Sequence, residues 1–331
     1  MVGLVRPVNA VLLALLVITT VSGGLAFAAG TAPAAAALVA VHGAAGLGLL
    51  LLAPAKSRIA RRGLHRPGRS RQVLSLVFAV LVLIAVCSGL LHAIGGFRSY
   101  LGLLPMQVHV GSAVAAVGLL GVHVWTHRRR ARIRRTDLDR RVTLRGAGLV
   151  VGAVALWAVA PGRERRVTGS HEVGSGDPRL MPVTQWLFDP VPRLDEPGWR
   201  LRVPAGHLGL AALAALPQRT ERAVLDCTGG WWAEQQWQGV PLAELGLGRA
   251  DGEAASIDVV SVTGYRRRFP LRDAGALLLA THVAGRPISA GHGGPARLVA
   301  PGRRGFWWVK WVVAIELVDE PWWWQPPFPV Q

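Results

Sequence analysis

Cys227 stands in the run Leu225-Asp-Cys-Thr-Gly-Gly-Trp-Trp232, directly after Arg222–Asp226, a short stretch whose residue types predict a strand. A thiolate is a soft, strongly donating ligand that suits a heavier transition metal. The glycines that follow would let the backbone approach a large planar ligand. A lone cysteine is more often a small buried apolar residue, and that is the reading for Cys87, which sits inside an apolar run. With two cysteines so differently placed, no disulfide framework is expected.

A second block changes the weight of the first. Gly285-Arg-Pro-Ile-Ser-Ala-Gly-His292-Gly-Gly-Pro295-Ala-Arg297 runs on into Val299-Ala-Pro301-Gly-Arg-Arg-Gly305-Phe-Trp-Trp-Val-Lys310-Trp311. Lys310 is one of two lysines in an arginine-dominated chain, set between Val309 and Trp311 in an apolar run. Together with Cys227 and the following Gly239-Val-Pro-Leu242, these blocks resemble the sulfite-oxidase-fold family of molybdopterin-dependent oxidoreductases. The resemblance covers about residues 166–331.

The resemblance implies that Cys227 ligates molybdenum and is the catalytic centre's protein ligand. It implies that His292, Arg297 and Lys310 hold the pterin and its terminal phosphate, an anion suited to a bidentate guanidinium and a point-charge ammonium. Thr184 and Gln185, in Met181-Pro-Val-Thr-Gln-Trp186, fall where the family has an early pterin-contacting segment. Thr263 and Tyr265, in Ser261-Val-Thr-Gly-Tyr265, fall near another cofactor loop. His171 is an additional candidate contact, or a solvated loop histidine. Two departures stand out. The chain ends at Gln331 without the immunoglobulin-like domain of sulfite oxidases, and the arginines that clasp sulfite have no clear match. Both point to the short bacterial branch, which includes a periplasmic methionine-sulfoxide reductase; fold alone does not fix the substrate.

Four more histidines, His42, His92, His109 and His123, fall inside apolar stretches. An ionisable residue in hydrocarbon is costly without a partner, and a b-type haem with two histidine ligands would account for them. Two of His42, His92 and His109 could share one iron. His109 and His123 are 14 residues apart, ~21 Å along a helix and near one face, a spacing that suits stacked haems. The bland alternative is hydrogen bonding within the bundle. His65 and His127 belong to basic segments and are poor ligands.

The elements that must position these residues divide the chain in two. No charged residue occurs over 7–55, 72–97 or 99–127, each stretch exceeding the ~20 residues a bilayer requires. Five helices are predicted: Val8–Ala28, Ala34–Leu52, Val73–Ile94, Met106–Trp125 and Gly146–Ala160. The net charge of +18 invites a nucleic-acid reading, but its distribution opposes one. Residues 1–145 hold 18 basic against two acidic residues, the remainder 19 against 17. The excess is concentrated in the linkers 56–71 and 128–145, which the positive-inside rule assigns to the cytoplasm. Five crossings then place everything after Pro161 outside it. Asp139-Arg-Arg-Val-Thr-Leu-Arg145 resembles a twin-arginine export signal, or is a plain cytoplasmic arginine anchor.

Beyond Arg166 the pattern becomes short β-rich segments bounded by Gly and Pro, among them Ser256–Ser261 and Ala296–Ala300, with one short helix at Leu208–Leu216. The expected architecture is therefore an N-terminal all-α transmembrane bundle of about five helices plus a C-terminal mixed α/β molybdopterin-binding domain. Its expected parts are a four-helix domain over 1–130, a basic linker and fifth helix over 131–165, and the extracytoplasmic oxidoreductase domain over 166–331. Function follows from that plan: oxygen-atom transfer on a small oxide, oxyanion or sulfoxide, with electrons exchanged through haem and membrane quinone. The alternatives are a haem-free anchored enzyme using a separate carrier, and a non-catalytic module that has kept the fold.

Overall fold

A computed structural model of the chain describes residues 5–31, 33–63, 69–127, 140–159, 165–185, 190–247 and 256–327. The fold parts into two compact units, Met1–His171 and Glu172–Gln331.

The first unit is built from α1 (Val5–Ala28), α2 (Ala34–Gly63), α3 (Arg69–Gly95), α4 (Pro105–His127) and α5 (Arg140–Val159). The first four each contain a span long and apolar enough to cross a membrane; the apolar part of α5, Gly146–Leu156, is shorter. Leu15, Ala45 and Leu49 form a small core at the meeting of α1 and α2, joined by Val82, Val86 and Leu149. Large apolar side chains such as Val17, Val21, Leu76, Leu83 and Val114 point outward. A helix apolar on every face is one that does not meet water on any of them.

The helices run further than the apolar stretches that signal them. Expected to stop at Leu52, α2 continues through Pro54 into the basic segment as far as Gly63. Loss of hydrophobicity there is not loss of helicity, because Ala, Lys and Arg are strong helix formers. In the same way α5 begins at Arg140, so most of the twin-arginine-like run is helical, Asp139 lying outside the described residues.

The second unit holds two sheets. A six-stranded sheet runs in the order β1-β5-β8-β10, with β4 also pairing β5 and β9 pairing β8. Its strands are β1 (His171–Glu172), β4 (Arg219–Cys227), β5 (Trp231–Pro241), β8 (Leu278–Val283), β9 (Arg286–Pro287) and β10 (Arg297–Val299). The five-stranded sheet has the order β3-β2-β11-β6-β7. It comprises β2 (Leu201–Val203), β3 (Gly206–Leu208), β6 (Ser256–Ser261), β7 (Arg266–Pro270) and β11 (Val312–Val318). Apolar side chains from both, including Trp237, Val240, Leu279, Leu298, Ile257, Val259 and Phe269, are wholly buried.

The strands expected at Arg222–Asp226, Ser256–Ser261 and Ala296–Ala300 are present as β4, β6 and β10. The expected helix at Leu208–Leu216 is reduced to α6 (Leu210–Ala214), because Gly206–Leu208 pairs with Leu201–Val203 instead. Ladder pairing with a neighbouring strand overrides the local helix preference there.

One glycine is demanded by the sheet. The register of β5 against β8 shifts between Gln238 and Gly239. A Cβ on Gly239 would lie 2.0 Å from the Leu279 carbonyl oxygen. Gly239→Ala is therefore expected to destabilise the second unit by about 3 kcal/mol, at the upper end for overpacking. Chemical denaturation of the full-length protein, followed by protease resistance of the C-terminal portion, checks this; an unchanged midpoint would contradict the strand register.

Candidate cofactor site at Cys227

Cys227 closes β4 and is paired across the hairpin with Trp231, the first residue of β5. Between them Thr228-Gly229-Gly230 makes a tight turn in which the Gly230 amide donates to the Cys227 carbonyl at 3.1 Å. This strand–turn–strand presents the sulfur at the end of the sheet. The Gly229 amide points at Sγ from 3.3 Å, and the Thr184 hydroxyl stands 3.3 Å from the same atom. Around Gly229 gather Cys227 Sγ, the Thr184 methyl and Trp231 Cδ1. The resulting cluster joins a β4–β5 turn to a segment more than forty residues earlier in the chain.

The loop Arg303–Trp308 covers the other side of the cysteine. Arg304 and Asp226 form an ion pair in which both side chains are almost fully buried. Gly305 comes so near that a Cβ there would lie 2.9 Å from Cys227 Cα. Tyr265 fastens the same loop, its hydroxyl donating to the Phe306 carbonyl. Burial pushes that phenol up to about 12, against the opposing influence of Arg267, so it stays a donor at neutral pH.

Arg297 is 1 % exposed, on β10. Its guanidinium lies over the rings of Trp237 at 5.2 Å and Trp308 at 5.8 Å. It donates to the His292 carbonyl at 2.7 Å and to the Trp308 carbonyl at 3.4 Å, while Nε is buried without an acceptor. Among the described residues no carboxylate pairs with it. Burial drives its pKa down to about 10, and the charge of Cys227 acts in the opposite direction.

Lys310 is the second cation. Its ammonium donates to the carbonyls of Thr184 and Gly291, both at 2.9 Å. Burial first, and repulsion from Arg297 second, bring it down to about 7, with Cys227 again opposing. Two further donors nearby lack acceptors: Gln185 Nε2, next to Thr184, and Trp231 Nε1.

His292 is differently engaged. Its Nε2 lies 3.0 Å from the Met181 carbonyl and its Nδ1 2.8 Å from the Ser289 hydroxyl. A carbonyl only accepts, so Nε2 carries the proton and Nδ1 accepts from the serine. Both nitrogens are thus satisfied by protein, and burial holds the ring's pKa below the ordinary histidine value. His292 ties the segment at Met181 to the glycine-rich loop, in the same fold of chain where Lys310 ties Thr184 to Gly291.

The residues singled out from sequence therefore separate into groups. Cys227, Thr184, Gln185, Arg297 and Lys310 belong to one cluster, with His292 bracing it. Tyr265 acts on the covering loop. Thr263 turns inward on its own hairpin, its amide and hydroxyl meeting Ser261 Oγ at 3.3 and 3.2 Å. His171, which opens β1 and is the last residue of the first unit, has its Nε2 2.9 Å from the His92 carbonyl. Trp186 lies outside the described residues. Sequence reasoning missed Trp231, the Asp226–Arg304 pair and the Trp237–Trp308 sandwich. Asp226 and Trp231 could have been suspected from their places beside Cys227; Trp237 carries no such signal.

The donor set fits a large, soft-metal, phosphate-bearing group. A thiol supplies the metal ligand, and two cations without acids, with unpartnered N–H groups, call for an anion rich in acceptors. Residues 188–324 match the family model of the oxidoreductase molybdopterin binding domain. The second unit is thus an oxidoreductase domain of the molybdopterin-binding, sulfite-oxidase-fold class. Part of the chain is 32% identical over 114 residues to the protein-methionine-sulfoxide reductase catalytic subunit MsrP of Xanthomonas campestris pv. campestris, covering 29% of this chain and 35% of that protein. The same figures hold for MsrP of Xanthomonas axonopodis pv. citri. The chain thus spans about a third of the length of these relatives. Among solved structures, the sulfane dehydrogenase SoxCD from Paracoccus pantotrophus matches 39% of this chain and 40% of its own, at 24% identity and a TM-score of 0.37.

The lowered Lys310 pKa has a measurable consequence. Between about 7, where folded Lys310 titrates, and 10.5, its ordinary value, the unfolded chain binds more protons than the folded one. Stability therefore rises with pH across that window. In cofactor-free protein the Lys310→Met variant should lose that part of the slope. Unfolding midpoints of both proteins at several pH values from 7 to 10 test it, and parallel curves would show that Lys310 is not a buried cation.

Proposed function

We propose that the chain is a membrane-anchored molybdenum-cofactor oxidoreductase. It would carry out two-electron oxygen-atom transfer on a small oxide, oxyanion or sulfoxide and exchange electrons with membrane quinone through a b-type haem. The observation that carries the reading is the Cys227 thiol set near two cations, buried Arg297 and half-buried Lys310, that no carboxylate among the described residues pairs.

Molybdenum, when bound, would supply reversible two-electron chemistry; the protein supplies ligation, orientation and dryness. Cys227 would be its thiolate ligand, held in one rotamer by the Gly229 amide and Thr184 hydroxyl. Arg297 and Lys310 would neutralise the pterin phosphate, and Gln185 and Trp231 would donate to the pterin's acceptors. The buried Asp226–Arg304 pair anchors the covering loop, so that the strand end bearing the cysteine does not shift when the cofactor enters. Charge stabilisation inside such a water-poor site is stronger than in solvent.

The four apolar spans support a bilayer setting, and the arginines of 56–71 and 128–145 support a cytoplasmic placing of those segments. On that arrangement the second unit works outside the cytoplasm, exported folded by the Arg140-Arg141 signal. Arg140→Lys together with Arg141→Lys should then leave the C-terminal portion inaccessible to protease added to spheroplasts, whereas unchanged accessibility would argue for an ordinary anchor.

Metal content decides the main reading. Cys227→Ser should lose at least nine-tenths of the molybdenum found in the wild type by elemental analysis, together with sulfoxide or oxyanion turnover. Wild-type protein without molybdenum would instead favour a non-catalytic module, and full molybdenum in Cys227→Ser would remove the ligand assignment.

A further inference from the structure

We propose that the haem iron is held by His42 of α2 and His109 of α4, each through Nε2, and that His92 is not a ligand. This rests on the haem in the reading above and deepens it by naming the site. The two rings come from positions 67 residues apart, yet their centroids are 5.7 Å apart and their planes perpendicular. An iron between two Nε2 atoms at about 2 Å from each would put the centroids roughly 6 Å apart. The pair is thus close to the separation that ligation requires.

The hydrogen bonds fix which nitrogen is free. His42 Nδ1 lies 3.0 Å from the Thr19 carbonyl of α1, and His109 Nδ1 lies 2.7 Å from the Ala85 carbonyl of α3. A carbonyl can only accept, so both rings carry their proton on Nδ1 and leave the lone pair on Nε2. No donor among the described residues hydrogen-bonds either Nε2. Donation from Nδ1 to a backbone carbonyl is also what orients a metal-binding imidazole and raises its basicity. Two acceptors left bare in an apolar bundle are unfavourable as they stand, and a Lewis acid between them removes the cost.

The surroundings select the kind of Lewis acid. No group of three or more His, Cys, Asp or Glu side chains that could hold a metal exists among the described residues. A bare divalent cation would keep two ligands and its full charge in hydrocarbon. A haem brings four equatorial nitrogens and two compensating charges of its own.

Glycines shape the space around the rings. A Cβ on Gly23 or Gly89 would come within 2.8 Å of the His42 or His109 ring, so those glycines let the imidazoles seat against α1 and α3. One turn beyond His42, on the same face, a Cβ on Gly46 would meet nothing within 4 Å. His92 also keeps a buried Nε2 without a hydrogen-bond partner, and what sets it apart is its neighbour: its ring packs edge-on at 4.9 Å on His171 rather than on His42 or His109.

Full-length protein purified in detergent from membranes supplies the test, by reduced-minus-oxidised spectra and haem quantification. His42→Ala and His109→Ala should each retain less than a tenth of the wild-type haem, and His92→Ala should retain it. The wild-type ferric haem should be low-spin, as two neutral imidazoles require; a high-spin, five-coordinate signal overturns the pair whatever the variants do. Added imidazole should restore the low-spin spectrum of His109→Gly, which separates loss of a ligand from loss of the fold. Haem absent from the wild type refutes the haem reading itself. Haem kept in His42→Ala or His109→Ala but lost in His92→Ala refutes only this assignment.

Discussion

The second unit is organised around a positive charge that it does not neutralise. Arg297 sits buried on the six-stranded sheet, between Trp237 and Trp308, with two backbone carbonyls and, among the described residues, no carboxylate to answer it. Removing an ion from water costs several kcal/mol even after relaxation, so a protein stable without any ligand would place a carboxylate or an apolar residue there. The same unit pairs Asp226 with Arg304 and Asp258 with Arg268, while Arg267, also buried, is held by the Pro326 carbonyl and the rings of Phe306 and Trp307. On the proposed reading the cofactor's anion would sit beside Arg297 and Lys310, where among the described residues only backbone carbonyls answer the two cations.

Much of the second unit's secondary structure exists to keep that arrangement rigid. Neither end of the cysteine turn is free to move, since β4 and β5 pair over nine consecutive residues from Arg219 to Cys227. The segment at Met181–Gln185 has no strand of its own. It is held by His292 and Lys310 through their bonds to the carbonyls of Met181 and Thr184. A cofactor that engaged Lys310 would compete for those bonds, so cofactor entry and the order of this segment are linked through a single ammonium group.

What could be read beforehand follows from how local each signal is. The apolar helices and the strands β4, β6 and β10 were legible because composition and alternation within a few residues determine them. Cys227, His292, Arg297 and Lys310 stood out because the glycine-rich and tryptophan-rich blocks around them resemble a family pattern. The jobs of individual residues were not legible, since they depend on partners far away in the chain. His292 looked like a cofactor contact, yet both its nitrogens are spent on Met181 and Ser289. Thr263 looked like part of a cofactor loop, yet it caps its own turn. The ends of α2 and α5 were drawn too short because hydrophobicity stops at the first arginines and helix propensity does not.

The histidines of the first unit carry the same lesson in a sharper form. Their apolar setting marked four of them, any two of His42, His92 and His109 as sharers of one iron, and the His109–His123 spacing as suited to stacked haems. Side chains ligate across helices, however, and what pairs them is the carbonyl each ring can reach. His42 and His109 find Thr19 and Ala85 on the neighbouring helices, which fixes the tautomer and leaves the lone pair on Nε2. No periodicity contains that information. It arises only when α1 packs on α2 and α3 on α4, the two strongest helix contacts in the unit. Packing of the paired helices thus decides which nitrogen of each ring carries the proton.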